Sequence, residues 1–264
     1  MNAEEEAVFQ VIRGFYKPKG FEVTRIEASD VEKRPDAEIR GDSELALVEI
    51  KTKWDAENEA EKRHLAFERN DVYFRQSRIV KSNTHAGVIR DAARQLNAML
   101  PEGPHFRVAW VKFDGPFADS IKIRFRSTLY GIRRVADLGS GTGYDCHDFD
   151  DSAFYRWRAV LDAVVLESSN ELHLCLNDFS PRYESFRGSK IASVLSGGIN
   201  DPMEMERSGL ILRVDGSANR RNDGTKLAYL REKYGLAHLS VLDLLETVVE
   251  IRVPDEGTMT RPTS

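Results

Sequence analysis

The sequence predicts an α/β protein, because segments with helical periodicity alternate with segments that have the two-residue periodicity of strands. Residues 4–16 and 84–100 are amphipathic at helical spacing, and Pro101 and Gly103 are expected to stop the second helix. The segments rich in β-branched and aromatic residues, which predict strands, are 21–27, 45–53, 106–115 and 120–132.

Residues 35–53 predict a β-hairpin with its turn at Gly41-Asp42. Because side chains alternate between the two faces of a strand, Glu49 and Lys51 project from the same face. The pairing of the two strands is expected to set Asp36 opposite Glu49 or close to it. The hairpin therefore predicts two carboxylates and one ammonium at one edge of a sheet.

Two further charged segments belong to the amino-terminal half. Residues 55–81 mix acidic and basic side chains and predict a solvated helix. In residues 120–132, Lys122, Arg124 and Arg126 alternate with apolar residues, which predicts a strand with one basic face. Such a face suits contact with a phosphate backbone. The alternative is the polar outer face of an edge strand, where charge prevents aggregation.

The second half of the chain, residues 136–253, predicts an α+β extension that completes the sheet or binds a partner. Residues 254–264 are polar and predict a disordered tail. The extension is expected to contain strands at 162–169, 171–183 and 209–216, with a turn at Asn170. Residues 225–235 have helical spacing. Residues 239–253 begin with helical spacing and become strand-like at their end.

Composition limits the class of protein. The 264 residues, 41% of them hydrophobic, suffice for a sizeable core. Cys146 and Cys175 are too few for a disulfide framework or a structural zinc site. No apolar run approaches a membrane span and the amino terminus is acidic, so a cytoplasmic protein without a membrane partner is expected. The net charge of −5 argues against a surface coated in basic residues.

Asp36, Glu49 and Lys51 are the candidate catalytic residues. Two carboxylates a few ångströms apart repel each other unless a cation lies between them or one is protonated. Mg²⁺ prefers oxygen ligands, so the pair predicts a Mg²⁺ site, with Mn²⁺ as a substitute. Lys51 beside the metal can orient or deprotonate a water, or balance the charge that builds on a phosphate.

This spacing resembles the motif of the PD-(D/E)XK nuclease superfamily, to which many restriction and repair nucleases belong. The matching residues are Pro35, Asp36, Glu49 and Lys51, with Ile50 in the variable position. The order helix, three strands, helix and strand, within residues 1–135, is also similar to that superfamily's core. The resemblance implies a restriction-endonuclease-like core, in which helices flank a central mixed β-sheet. It implies metal-dependent phosphodiester hydrolysis, with Asp36 and Glu49 as metal ligands and Lys51 as the catalytic lysine.

The resemblance also implies roles for residues on the two helices. A glutamate of the first helix often completes the metal site, and Glu5 is the candidate here, with Glu6 and Glu4 as alternatives. On the second helix, Gln95 is a candidate catalytic residue, and Arg90 and Arg94 are candidates for nucleic-acid binding. DNA is the expected partner on these grounds, with a homodimer or an activating protein partner as further options.

Two alternatives stay open. One is a non-catalytic module that binds nucleic acid or protein on the same scaffold. The other is an S-adenosylmethionine-dependent methyltransferase, since Asp137–Gly143 (DLGSGTG) is similar to the glycine-rich cofactor loop of that class. No helical periodicity follows Gly143, however, although the methyltransferase fold needs a helix directly after this turn.

Overall fold

A computed structural model describes residues 3–27, 34–41, 43–54, 57–99, 105–168, 171–215 and 222–251. Within these residues the helices are α1 (Ala3–Tyr16), α2 (Glu57–Glu68), α3 (Asn83–Ala98), α4 (Ala118–Tyr130), α5 (Ala153–Arg156), α6 (Tyr183–Arg187), α7 (Lys190–Ser193), α8 (Pro202–Arg207) and α9 (Asp223–Tyr234).

The strands in the same residues are β1 (Glu22–Arg25), β2 (Ala37–Gly41), β3 (Glu44–Trp54), β4 (Tyr73–Arg78), β5 (Phe106–Asp114), β6 (Arg133–Asp137), β7 (Thr142–His147), β8 (Ala163–Ser168), β9 (Glu171–Leu176), β10 (Ile199–Asn200), β11 (Ile211–Arg213), β12 (Leu239–Val241) and β13 (Leu245–Glu250). The predicted turn residues Asp42 and Asn170, the predicted helix stop at Pro101 and Gly103, and the predicted tail 254–264 lie outside the described residues.

The central sheet has seven strands in the order β1-β2-β3-β5-β8-β9-β10. Strands β3, β5 and β8 run parallel to one another, whereas β1, β2 and β3 pair antiparallel, as do β8 and β9. The sheet is therefore mixed and flanked by helices, which confirms the predicted α/β class. No helix in the described part of the chain is long and apolar enough to cross a bilayer.

Helices cover both faces of this sheet. On one face α1, α6 and α7 pack against Val48, Ile50 and Trp110. On the other face α3 and α4 pack against Leu45 and Leu47, the neighbours of opposite parity on β3. Because successive side chains of a strand point to opposite faces, β3 contributes to both cores and is buried on both sides.

A second, four-stranded sheet has the order β11-β7-β6-β12, and β4 pairs with β13 in a separate two-stranded ribbon. Strands β8, β9 and β10 lie beyond residue 135 yet belong to the central sheet. The predicted boundary between residues 135 and 136 falls inside β6.

The structure corrects the prediction of a strand at residues 120–132, which form most of α4. The alternation of basic and apolar side chains concealed a helical repeat, since Ile121, Phe125 and Leu129 recur every four residues and are buried against the central sheet. The burial of these three side chains against the sheet favours a helix, although the sequence alternates as a strand does.

The segments 55–81 and 239–253 also differ from prediction. The first forms α2 and then β4. The second forms β12 and β13, so its predicted helical part is wrong and its predicted strand-like end is confirmed. In the ribbon, Tyr73 pairs with Glu250 and Arg78 pairs with Leu245. The backbone N–H and C=O groups of these segments form hydrogen bonds between two distant strands, although the local sequence pattern favours helices.

Arg213 on β11 joins the second sheet to the loop that follows β9. Its Nε donates to Asp148 Oδ2 at 2.8 Å, and its Nη2 forms an ion pair with Asp178. All three side chains are at least nine-tenths buried. The arginine therefore compensates much of the charge of two carboxylates that are almost fully buried.

Replacing Arg213 with alanine is expected to lower the free energy of unfolding by about 3–5 kcal/mol, since it leaves uncompensated buried charge. Urea denaturation measures this change. Arg207→Ala is the control, because Arg207 pairs with Glu204 on the exposed surface of α8, and about 1 kcal/mol or less is expected there. Equal effects for the two variants would contradict the role given to Arg213.

Candidate active site

The β2–β3 hairpin sets two carboxylates side by side. Ala37 pairs with Val48 in the antiparallel register, which places Asp36 next to Glu49 at the end of the ladder. The Asp36 backbone N–H donates to Val48 O at 3.0 Å. The Asp36 side chain turns back to the strand, where Oδ2 accepts from the Ile50 backbone N–H at 2.8 Å. This bond fixes the orientation of the first carboxylate.

Glu49 is buried at the point where the apolar side of β3 ends. It shares a face with Leu45 and Leu47, which pack under α3, so the strand that forms the core also carries the carboxylate into it. Its relative exposure is 0%. Oε1 accepts from Lys51 Nζ at 2.5 Å. Within the described part of the chain, no N–H or O–H donor reaches the buried Oε2 when both carboxyls are ionised, whereas a protonated Glu49 shares a hydrogen bond with Asp36, which contributes to its raised pKa.

The pKa values of the two carboxyls reflect this crowding. Burial, together with the negative charge of Asp36, raises the pKa of Glu49 to about 8. Burial also raises the pKa of Asp36, and the charge of Glu5 raises it further, against the opposing effects of the Ile50 N–H and Lys51. Glu5, in the first turn of α1, is thus close enough to the pair to act on it electrostatically.

Lys51 is held by two oxygens from different elements. Besides Glu49, its Nζ donates to Gln95 Oε1 on α3 at 2.9 Å. The lysine side chain is 23% exposed, so its ammonium lies at the border between core and solvent. Because both partners are fixed, one by the strand and one by the helix, the ammonium has a defined position beside the carboxylates.

Helix α3 adds further charge to the same edge. Arg90 and Arg94 are exposed, and Arg90 Nε pairs with Asp91 Oδ1 at 3.0 Å. This bond lowers the pKa of Asp91, and the charges of Arg94 and Lys51 lower it further. Sequence reasoning missed Asp91 as a neighbour of the site. The available signal was its position one helical turn before Gln95.

The donor set fits a hard divalent cation. When Glu49 is ionised, its Oε2 is a buried acceptor without a donor that a cation would satisfy, and Asp36 keeps the oxygen that does not accept from Ile50. Among the described residues, no three His, Cys, Asp or Glu side chains form a ready-made metal cluster. Mg²⁺ commonly binds through one or two carboxylates, with water and substrate phosphate as its other ligands, and the pair suits that mode.

Lys122, Arg124 and Arg126 do not form the basic strand face that the sequence predicted. They lie on α4, where Lys122 is buried and its Nζ donates to Ser168 Oγ at 2.6 Å and Glu171 Oε2 at 2.8 Å. Arg126 Nη2 pairs with Asp145 at 3.4 Å. Arg124 Nε donates to Ser120 O at 3.4 Å. All three cations thus have partners within the protein, and the basic strand face is not formed.

The Asp137–Gly143 loop is the turn of an antiparallel hairpin between β6 and β7. The carboxylate of Asp137 accepts from the backbone N–H groups of Gly139 and Ser140, both at 3.2 Å, and so stabilises its own turn. A strand follows where a methyltransferase requires a helix. The methyltransferase alternative therefore loses the structural context on which it depends.

Comparison of the chain with protein-family models, with curated proteins and with solved structures gives no significant match. A functional conclusion therefore depends on the sheet topology and on the geometry of Asp36, Glu49, Lys51 and Gln95.

Proposed function

We propose that this protein is a metal-dependent nuclease with a restriction-endonuclease-like core. The observation that supports this most strongly is a fully buried glutamate with one orphaned oxygen, placed beside a second carboxylate and in contact with a lysine. Burying such a group is costly for stability, and strongly shifted pKa values are typical of functional sites.

Asp36 and Glu49 would hold Mg²⁺ or Mn²⁺, with Glu5 as the next nearest carboxylate. When bound, the metal would polarise the scissile phosphate and make a water molecule more acidic. The Asp36 carboxylate is oriented in advance by the Ile50 N–H. Glu49 would have to lose the proton that its raised pKa retains before it could act as a ligand.

Lys51 would act on the nucleophile or on the phosphate. Its ammonium can stabilise the negative charge that develops on the phosphate oxygens during hydrolysis. Gln95 Oε1 and Glu49 Oε1 each accept a hydrogen bond from Lys51 Nζ, which leaves one N–H of the ammonium for the substrate or the water. Arg90 and Arg94, exposed on the same helix, would contact the backbone of the substrate.

The sheet topology supports the same proposal. Strand β3 bears Glu49 and Lys51, pairs antiparallel with β2 and parallel with β5, and lies between α1 and α3. This matches the mixed, helix-flanked core that the sequence motif implies. DNA is the proposed substrate on the same resemblance.

Cleavage assays with plasmid, linear duplex and single-stranded DNA, and with RNA, test the proposal. Cleavage is expected with Mg²⁺ or Mn²⁺ and is expected to stop with EDTA. Asp36→Asn should raise the metal concentration needed for half-maximal rate by at least the roughly 10–100-fold typical of damage beside a metal site. Glu38→Gln is the matched control, because Glu38 lies on β2 and pairs with Arg40. Binding without cleavage of any substrate would favour the non-catalytic module instead.

A further inference from the structure

A pocket lies at the other end of α3 from Gln95. It has a volume of about 290 Å³ and lies between the amino-terminal half of α3 and the segment that contains α5. Gly87 and Arg90 line it from α3, and Arg156 and Trp157 line it from the other side. Since an α-helix rises 1.5 Å per residue, Gly87 lies about 12 Å along the axis from Gln95.

The pocket combines positive charge with an aromatic ring. Lys81, Arg90 and Arg156 contribute three cations to its lining, and Asp151 contributes one carboxylate. Asp151 pairs with Lys81 at 3.2 Å, and Arg90 pairs with Asp91. Arg156 is exposed, and the described residues offer it no ion pair. The positive excess is notable in a chain with a net charge of −5.

Trp157 is half-buried beside Arg156 and presents part of its indole to the pocket. An aromatic surface next to cations is the arrangement by which proteins bind single-stranded nucleic acid, where the ring stacks on a base and the cations hold the phosphates. A volume near 300 Å³ is at the lower end of small-molecule sites and is sufficient for one nucleotide.

The exposed face of α3 connects this pocket to the candidate active site. Arg90 lines the pocket, Arg94 follows one turn later, and Gln95 contacts Lys51. A strand whose phosphate lies at Lys51 and which follows α3 would reach the pocket within a few nucleotides. Asp91 opposes this path with negative charge, which its ion pair with Arg90 offsets.

We propose that this pocket binds one unpaired nucleotide of the substrate strand a few nucleotides from the scissile phosphate, and that the substrate is therefore single-stranded or frayed at this point. The proposal rests on the nuclease function proposed above. Arg156 and Lys81 hold the phosphate, and Trp157 stacks on the base.

Binding in EDTA, where no cleavage is expected, tests the pocket by itself. The anisotropy of a short fluorescent single-stranded deoxyoligonucleotide gives the Kd for the parent, Arg156→Ala and Trp157→Leu. Arg158→Ala is the matched control, since Arg158 is exposed two residues further on and donates to Tyr155 O at 2.7 Å outside the pocket. Thermal unfolding checks that the folds are equal.

Arg156→Ala is expected to raise the Kd about tenfold. It is also expected to lower the slope of the logarithm of the binding constant against the logarithm of the salt concentration by about 1. Trp157→Leu is expected to weaken binding about 5–100-fold through lost stacking, whereas Arg158→Ala leaves the Kd unchanged. Parental affinity in both pocket variants would overturn the proposal. So would a pocket that binds a free deoxynucleoside monophosphate in an Arg156-dependent way but contributes nothing to oligonucleotide binding.

The two proposals fail in different ways. Arg156-dependent oligonucleotide binding in a parent that cleaves nothing with Mg²⁺ would refute the nuclease and keep the pocket. Cleavage at parental KM by Arg156→Ala and Trp157→Leu would keep the nuclease and refute the pocket.

Discussion

Replacing Lys51 with alanine is expected to lower the rate of phosphodiester cleavage by roughly 10²–10⁴-fold, the usual effect of losing a group that transfers a proton or stabilises charge in the transition state. The ammonium is fixed between Glu49 and Gln95 and has no substitute at the same position among the contacts described. Single-turnover cleavage with saturating Mg²⁺ measures the effect, because it separates the chemical step from product release.

Lys112→Ala is the control for this substitution. Lys112 lies on the neighbouring strand β5 with nearly the same exposure as Lys51, 28% against 23%. It pairs in register with Thr52, so it points to the opposite face of the sheet, where it contacts Asp114. Its removal should leave the rate within about twofold of the parent. A Lys51→Ala protein that cleaves like Lys112→Ala would remove Lys51 from the mechanism.

Replacing Glu49 with glutamine is expected to have opposite effects on stability and activity. Glutamine keeps an oxygen that can accept from Lys51, but it removes the charge that burial disfavours. The metal-free variant should therefore gain stability relative to the parent as the pH rises from 4.5 to 8, because only the parent loses stability through this group. It should also lose cleavage, together with the stabilisation that millimolar Mg²⁺ confers on the parent.

The sign of the pH dependence follows from the raised pKa of Glu49. A free glutamate titrates near 4.5 and Glu49 near 8, so between these values the folded protein holds one more proton than the unfolded chain. This contribution to the stability of the metal-free parent is full below about pH 4.5 and is lost as the pH rises through 8. The slope from this group is about 1.4 kcal/mol per pH unit, and Glu49→Gln removes it.

Metal binding has the opposite pH dependence, since the cation displaces that proton. The apparent affinity of the parent for Mg²⁺ should rise about tenfold per pH unit up to pH 8 and then level off. Calorimetric titration and urea denaturation across this range measure both effects. A parent whose metal affinity is the same at pH 6 and pH 8 would show that Glu49 is not a ligand.

The elements that the sequence predicts correctly are those fixed by local pattern. The helices near residues 4–16 and 84–100 and the hairpin at residues 35–53 each contain their own periodicity and turn chemistry. The errors lie at residues 120–132 and in 239–253, where contacts with distant segments decide the structure. Glu246, for example, accepts from Ser77, which is 169 residues away in the chain.

The same contrast applies to the site. Asp36, Glu49 and Lys51 could be predicted together because one hairpin register joins them. The pocket could not, because Arg90 and Arg156 come from segments that meet only after the sheet and its helices have assembled. The raised pKa of Glu49 also depends on α3 covering the strand, which no spacing along the chain reveals.

The seven-stranded order has a consequence for synthesis of the protein on the ribosome. Strand β5 pairs with β3 of the hairpin along one edge, and its other edge stays unpaired until β8 emerges. Strand β8 in turn pairs with β9. A nascent chain that ends near residue 135 therefore displays an open apolar strand edge, which promotes association between chains. Premature termination would yield an aggregating fragment, and the central sheet would be covered on this edge only after translation has passed Leu176.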